Sequence, residues 1–403
     1  FSHMKRLIIE KGKVIFPDYI AEDVSIVCEE GKIRSIVPSA DVFFYDSDER
    51  INASGQYVSP GFVDIHLHGG GGHDFMDGTV EAFLGAAELH ARYGTTAMVP
   101  TTLTSTTEEL MNTFSVYREA VKVNSKGAKF LGLHLEGPYF SYNQRGAQDP
   151  RYLRNPEREE YMHILESSED IVRWSLAPEL PGALDLGREL LSRNILAAVA
   201  HSDAVCEEVE LAFKDGFSHI THLYSGMSSV TRRHAFRYAG VVEAAYLIDD
   251  MTVEIIADGV HLPRPLLQFV YKFKGADKIA LCTDSMRGAG MPNGDSVLGS
   301  LHEGQRVIIE GGVAKLPDRS SFAGSVVTAD RMIRTMVNMA EVSLTDAVKM
   351  MTLTPARIMN VDSRKGSIKP GKDADLVIFD EDIRVLYTVS EGTVIYDASL
   401  VSR

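Results

Sequence analysis

Cysteine is scarce in this sequence. Only Cys28, Cys206 and Cys282 occur in 403 residues, far apart and without a C-x-x-C pair. That excludes a disulfide framework and leads us to expect reduced thiols in the cytoplasm. No apolar run approaches the roughly 20 residues of a membrane span, and no basic-then-apolar leader opens the chain. Positive charge is also in deficit: 41 Lys and Arg stand against 56 Asp and Glu, a formal net charge of −15. Nucleic acid and anionic membranes are therefore poor partners, and an anionic substrate would need a locally basic site. Pro-, Gly- or Ser-rich linkers, low-complexity runs and short repeats are missing as well. The opening Phe1-Ser2-His3-Met4 is expected to be a tag remnant before a natural Met4, which removes His3 from the chemistry.

What remains is 44% hydrophobic and 24% charged, enough to bury a large core. Both ends of the chain carry short β-rich runs broken by turns, such as Leu7-Ile8-Ile9 and Val24-Ser25-Ile26-Val27 early, and Leu376-Val377-Ile378-Phe379 late. Neither end has enough strands to stand alone. We expect one small β-sandwich domain built from 4–57 and 364–403. Between them, short apolar runs suited to buried parallel strands alternate with helical stretches. Eight such runs occur, at 58–67, 95–101, 130–136, 171–178, 195–201, 218–223, 251–258 and 278–284. This predicts an α/β fold, a (β/α)₈ TIM barrel over 58–363.

The polar residues fall where these runs end. The first ends in Asp64-Ile65-His66-Leu67-His68, the third in His134-Leu135-Glu136-Gly137-Pro138, and the fifth in Ala200-His201-Ser202-Asp203. The sixth ends in Thr221-His222-Leu223-Tyr224, the seventh in Asp258-Gly259-Val260-His261, and the eighth in Thr283-Asp284. A barrel gathers these ends at one mouth, where its chemistry is done. His66 and His68, two apart on a strand, share a face and can reach one ion. Imidazoles with carboxylates and no offered thiolate suit Zn²⁺, with Fe²⁺ as the alternative.

Each piece taken alone has a bland explanation. A lone strand histidine is usually a hydrogen-bonded structural residue, and a strand-terminal Asp is often a helix cap. His73 and His90 are read that way, and His134 as at most a neighbour of the ligands. Gly69-Gly70-Gly71-Gly72 lacks the Lys-Ser/Thr of a P-loop and is read as a flexible turn near the first two histidines. The ligand set as a whole resists a bland reading, because an unsatisfied buried cluster is costly.

With these residues in view, a family resemblance emerges. Pro60-Gly61-Phe62-Val63-Asp64-Ile65-His66-Leu67-His68 resembles the first-strand signature of the amidohydrolase superfamily. His134-Leu135-Glu136-Gly137-Pro138-Tyr139 and the later strand ends resemble the N-acetylglucosamine-6-phosphate deacetylase family, while the closing stretch through Gly366-Ser367-Ile368-Lys369-Pro370-Gly371 resembles the superfamily only; together the match covers nearly the whole chain. The resemblance implies that Glu136, His201 and His222 hold a main metal. It implies that His66 and His68 hold a second, with Glu136 bridging, so one or two ions per subunit. Asp284 would be the catalytic acid/base and His261 would polarise the acetyl carbonyl. Arg237, together with Ala147, Gln148, Ser225 and Gly226, would meet the substrate and its phosphate. A cytoplasmic homodimer acting on a small amino-sugar phosphate is implied.

Three stretches depart from the family pattern: Arg145-Gly146-Ala147-Gln148, Ser225-Gly226-Met227 and Arg237-Tyr238-Ala239-Gly240. All concern the sugar-phosphate side. They keep open a deacetylase for another N-acetyl amino sugar, the galactosamine epimer or an unphosphorylated one. Another amidohydrolase acting on a small amide is a further rival. Many of those bridge two metals with a lysine at the end of strand four, where this chain has Ala177-Pro178-Glu179. A non-catalytic sugar-phosphate sensor would not need Asp284.

Overall fold

The computed structural model describes residues 4–401, so Phe1-Ser2-His3 of the expected tag remnant lies outside the described residues. Eight short strands carry the site: β1 (Phe62–Leu67), β2 (Thr95–Pro100), β3 (Leu133–Glu136), β4 (Ile171–Leu176), β5 (Leu196–Val199), β6 (Phe217–Ile220), β7 (Thr252–Ile255) and β8 (Ile279–Leu281). β1 pairs with β2, and β3 through β8 pair in sequence order, all parallel. A parallel bridge between Thr101 and His134 links β2 to β3. Beyond the end of β8, Asp284 N donates to His66 O and His68 N to Ser285 O, both at 2.8 Å, joining the last strand to the first.

The strands read as apolar runs because both their faces are covered. Every residue of β1 and of β2 is buried. A helix follows each strand, from Val80–Ala91 after β1 to Ala329–Asn338 after β8. The first two helices start at threonine caps, Thr79 and Thr106, whose hydroxyls accept from the backbone N–H three residues on. Phe62, Phe83, Trp174 and Phe217 are completely buried in the large core between helices and strands.

The two ends of the chain form one continuous eight-stranded sheet. Its order runs Thr393–Asp397, Val385–Ser390, Leu376–Phe379, Tyr57–Pro60, Arg6–Ile15, Ile20–Glu29, Lys32–Pro38, with Glu49–Asn52 also pairing to Arg6–Ile15. Ile9, Val14, Ile26, Val58, Leu376 and Ile378 share its core. The expected run 58–67 is thus split in two. Tyr57–Pro60 joins the terminal sheet, Phe62–Leu67 joins the parallel strands, and Gly61 turns between them. A side chain at Gly61 would collide with Thr96.

Two elements were not expected. A four-stranded antiparallel sheet (Gly294–Leu298, Gln305–Glu310, Val313–Lys315, Phe322–Ser325) is inserted between β8 and its helix. A small hairpin, Thr231–Arg233 with Phe236–Tyr238, projects after β6, with every strand residue exposed.

Candidate active site

All six residues singled out at the strand ends as ligands or acid/base come together. Glu136 is central. Its Oε2 lies 3.1 Å from His66 Nε2, 3.4 Å from His222 Nε2 and 3.9 Å from His201 Nε2, and its Oε1 lies 3.1 Å from His68 Nε2. Asp284 Oδ1 faces the same two rings from the other side, 3.2 Å from His66 Nε2 and 3.0 Å from His68 Nε2. Two ligand groups overlap at Glu136: His66/His68/Glu136/Asp284 and Glu136/His201/His222.

These contacts do not have the geometry of hydrogen bonds. His66 Nε2, Glu136 Oε2 and Asp284 Oδ1 are buried without a hydrogen-bond partner among the described residues. Ligand atoms about 2.0 Å from one tetrahedral ion lie about 3.3 Å apart. The donor set and its spacing therefore fit divalent metal.

The backbone that presents these groups is strained. His201, His222 and Asp284 have φ of 44°, 28° and 46°, in the left-handed region that non-glycine residues avoid. Such positions cost of order 1–3 kcal/mol each and persist only where the surroundings impose them. The surroundings here are specific. Asp284 is gripped on both sides, its N–H by His66 O and its carbonyl by Ser325 N. His201 Nδ1 meets the carbonyl of Gln144 at 2.8 Å, leaving Nε2 for the site. Gly226 packs so closely that a Cβ there would lie 2.9 Å from His201 Nδ1. The single tryptophan, Trp174, donates to the carbonyl of Gly137 at 3.1 Å and so anchors the turn after Glu136.

Without metal the carboxylates recruit protons. Burial disfavours charge on His68, but Asp284 and Glu136 outweigh it and push its pKa up to about 10. His66 is also raised well above the ordinary histidine value, burial being overcome by Glu136, Asp284 and Glu254. Glu136 is held well below the usual carboxylate range: burial opposes its charge, yet His66, His222 and His68 prevail. Asp284 is lowered for the same reason, chiefly by His66 and His68. His201 goes the other way, down to about 4, through burial and the neighbouring His222.

A cavity of about 280 Å³ opens onto the cluster. His68, Glu136, His201, His222, His261 and Asp284 line it, as do the expected substrate residues Ala147, Gln148, Ser225 and Gly226. His261 Nδ1 meets Asp258 Oδ2 at 2.7 Å, which leaves Nε2 free of that contact.

The other residues singled out in the sequence fall as follows. Arg237 does not line the cavity: it sits exposed on the projecting hairpin, its Nη1 donating to the nearby carbonyl of Ala235. Gln148 lines the cavity, but its amide is engaged, donating to Glu136 Oε1 at 3.0 Å and accepting from Thr104 N at 3.1 Å. Its amide thereby orients the Glu136 carboxylate. The four-glycine run is a packed turn, where Gly69–Gly70 pairs with His73–Asp74 and Gly71 and Gly72 donate to the carbonyls of Ala289 and Arg287. As expected, His134 neighbours the cluster, its ring edge-on to His66 with centroids 4.8 Å apart and bonded to Thr101 Oγ1 (3.0 Å) and Ser175 Oγ (2.6 Å), and His90 is structural, bonded to the carbonyl of Gly69.

Sequence reasoning missed the far wall of the cavity. Leu298, Phe322 and Gly324 come from the inserted antiparallel sheet, Ser321 from the turn before its last strand, and Leu103, Tyr224 and Ile256 from loops after strands. It also missed Arg173 and Glu254, fully buried beneath the ligands. Their signal was available, since a charge inside an otherwise apolar strand is rarely accidental.

A parallel α/β sheet that gathers imidazoles and carboxylates at its strand ends is the architecture of the amidohydrolases, and the amidohydrolase family model matches residues 57–398. The chain belongs to this family and, within it, to the N-acetylglucosamine-6-phosphate deacetylase family. An N-acetylglucosamine-6-phosphate deacetylase of Lysinibacillus sphaericus is 32% identical over 96% of this chain and 97% of its own. An N-acetylgalactosamine-6-phosphate deacetylase of Escherichia coli O157:H7 is 31% identical over 94% of this chain and 95% of its own. The crystal structure of N-acetylglucosamine-6-phosphate deacetylase from Pasteurella multocida superposes with a TM-score of 0.89 at 27% identity, covering 96% of this chain and 99% of that one.

Proposed function

We propose that this protein hydrolyses the N-acetyl group of N-acetylglucosamine-6-phosphate to acetate and glucosamine-6-phosphate. The observation that carries the reading is Glu136 standing between four imidazole nitrogens with Asp284 facing two of them across the same space. Residues 61–363, past the Tyr57–Pro60 strand of the terminal sheet, are read as a closed (β/α)₈ barrel, supported by the hydrogen bonds between the ends of β8 and β1. Residues 4–60 and 364–401 are read as the small β-domain, a sandwich built on the shared terminal sheet.

Glu136, His201 and His222 would hold the main ion, and His66 and His68 a second bridged by Glu136. Zn²⁺ is the first choice and Fe²⁺ the second. When bound, the metal supplies Lewis-acid polarisation and acidifies water from about 16 toward roughly 7. Asp284 takes the proton of the attacking water at its carboxylate. His261, held by Asp258, steadies the developing oxyanion of the acetyl carbonyl. Asp284 then returns its proton to the sugar nitrogen, without which the amine would leave poorly. The backbone around Ser225 and Gly226 orients the sugar.

Phosphate needs a cation, and none of the residues lining the cavity is Lys or Arg. We therefore read the protein as a cytoplasmic homodimer in which Arg237, on its projecting hairpin, serves the neighbouring copy's cavity. The N-acetylgalactosamine-6-phosphate reading is kept as second, because a relative of that activity matches at 31% identity and Ser225-Gly226 faces the sugar side. The deciding experiment measures acetate release from both epimers, each with and without the 6-phosphate. No acetate from any of them would refute the deacetylase reading.

A further inference from the structure

Behind the ligand cluster lies a second layer of charge that the proposed chemistry leaves unused. Glu254, in the middle of β7, is fully buried. Its Oε2 accepts from His66 Nδ1 at 2.6 Å and from Cys282 Sγ at 3.2 Å. Its Oε1 meets His219 Nε2 at 2.8 Å and Arg173 Nη1 at 2.5 Å. Arg173 in turn donates to the carbonyl of Ile65 and to Thr221 Oγ1, both at 3.0 Å. His66, Glu254 and Cys282 could themselves be taken for a metal site. The His66–Glu254 distance argues otherwise: 2.6 Å is a hydrogen bond, well short of the about 3.3 Å between two ligands of one tetrahedral ion.

A carboxylate can only accept. With Glu254 behind it, the hydrogen of a neutral His66 ring must sit on Nδ1, and Nε2 is left with its lone pair facing Glu136 and Asp284. His201 is oriented quite differently, by the backbone carbonyl of Gln144. The two halves of the cluster thus have independent supports.

We propose that Glu254, with its charge balanced by Arg173, is a positioning residue that decides whether the His66/His68 half of the site takes an ion. It does so by fixing the tautomer and ring plane of His66. The inference rests on the two-ion reading of the site. Replacing Glu254 with glutamine keeps the shape but removes the compulsion, since an amide offers one acceptor and one donor group to His66, His219 and Arg173 together.

The test uses the full chain stripped of metal and titrated with Zn²⁺ against a chromophoric chelator, with ¹⁵N spectra of the histidine rings alongside. Wild type is expected to bind two ions and to show an Nδ1–H resonance that disappears in His66→Gln. Glu254→Gln should weaken the second ion about 10- to 100-fold, the usual scale for such supports. Its first ion should stay within about twofold, and before metal is added the neutral His66 ring should show both tautomers instead of Nδ1–H alone. If Glu254→Gln does not fold, Arg173→Met combined with Glu254→Gln leaves no unpaired buried cation and should give the same shift. If neither folds, the wild-type spectrum decides. A His66 ring without an Nδ1–H hydrogen overturns the proposal. Unchanged affinities, equal weakening of both ions, or wild type and His66→Gln binding the same number of ions would each do so too. The deacetylase reading fails separately, through lack of acetate release by wild type carrying its metal.

Discussion

Metal uptake should expel protons, and the two halves of the site should differ in how many. The perturbation is to titrate metal-free protein with Zn²⁺ between pH 6 and pH 8. His68 is held at about 10, so at pH 7 it lies three units on the protonated side. Each unit corresponds to about 1.36 kcal/mol, so freeing this one ring costs about 4 kcal/mol, about a thousandfold in affinity. That cost falls about tenfold per pH unit, and the raised His66 adds a second proton to the same half. His201, at about 4, is already neutral and adds none. Affinity for the ion on the His66/His68 side should therefore climb steeply with pH, up to about a hundredfold per unit when two protons leave. The other ion, facing at most the raised His222, should climb no more than about tenfold per unit. Isothermal titration in buffers of different ionisation heat counts the protons directly. Two binding steps with no proton release, or with equal pH slopes, would refute the argument. The same linkage has a stability counterpart. Because folding raises the His68 pKa above its unfolded value near 6.5, the metal-free protein gains that stabilisation fully below about pH 6.5 and loses it as pH rises through about 10.

Three further outcomes are expected. Asp284→Asn should lower turnover about 10²- to 10⁴-fold while most of the metal stays bound, and near-normal turnover would remove the acid/base role. Gly226→Ala drives a Cβ against His201 from a backbone at φ +60°, so we expect weaker binding of the main ion and a lower melting temperature; unchanged metal content in atomic-emission analysis would contradict this. Arg237→Ala should raise KM for phosphorylated substrates and spare unphosphorylated ones, and equal losses on both would detach Arg237 from the phosphate.

The site was legible in the sequence because parallel strands impose a simple rule: what stands at their C-terminal ends meets in space. His66, His68, Glu136, His201, His222 and Asp284 obey it, and so did the rhythm of eight apolar runs. Arg237 and Gln148 were harder, since both lie beyond the strands, where loop geometry decides where a side chain goes. The inserted sheet at 294–325 was unreadable for a related reason. Its strands are short and half-exposed, as in Gly294–Leu298, so their pattern resembles a surface loop. Glu254 and Arg173 were visible as charges inside apolar strands, but only coordinates reveal that they face each other and His66.

The terminal sheet has a consequence for biosynthesis. Tyr57–Pro60, directly upstream of the strand bearing His66 and His68, is flanked on one side by Arg6–Ile15 and on the other by Leu376–Phe379, and Gly61 N donates to the carbonyl of Asp375. One of those neighbours leaves the ribosome more than 300 residues before the other. The nascent polypeptide must therefore keep His66 and His68 waiting, with one flank of the strand before them unclosed, until more than 300 further residues have been made.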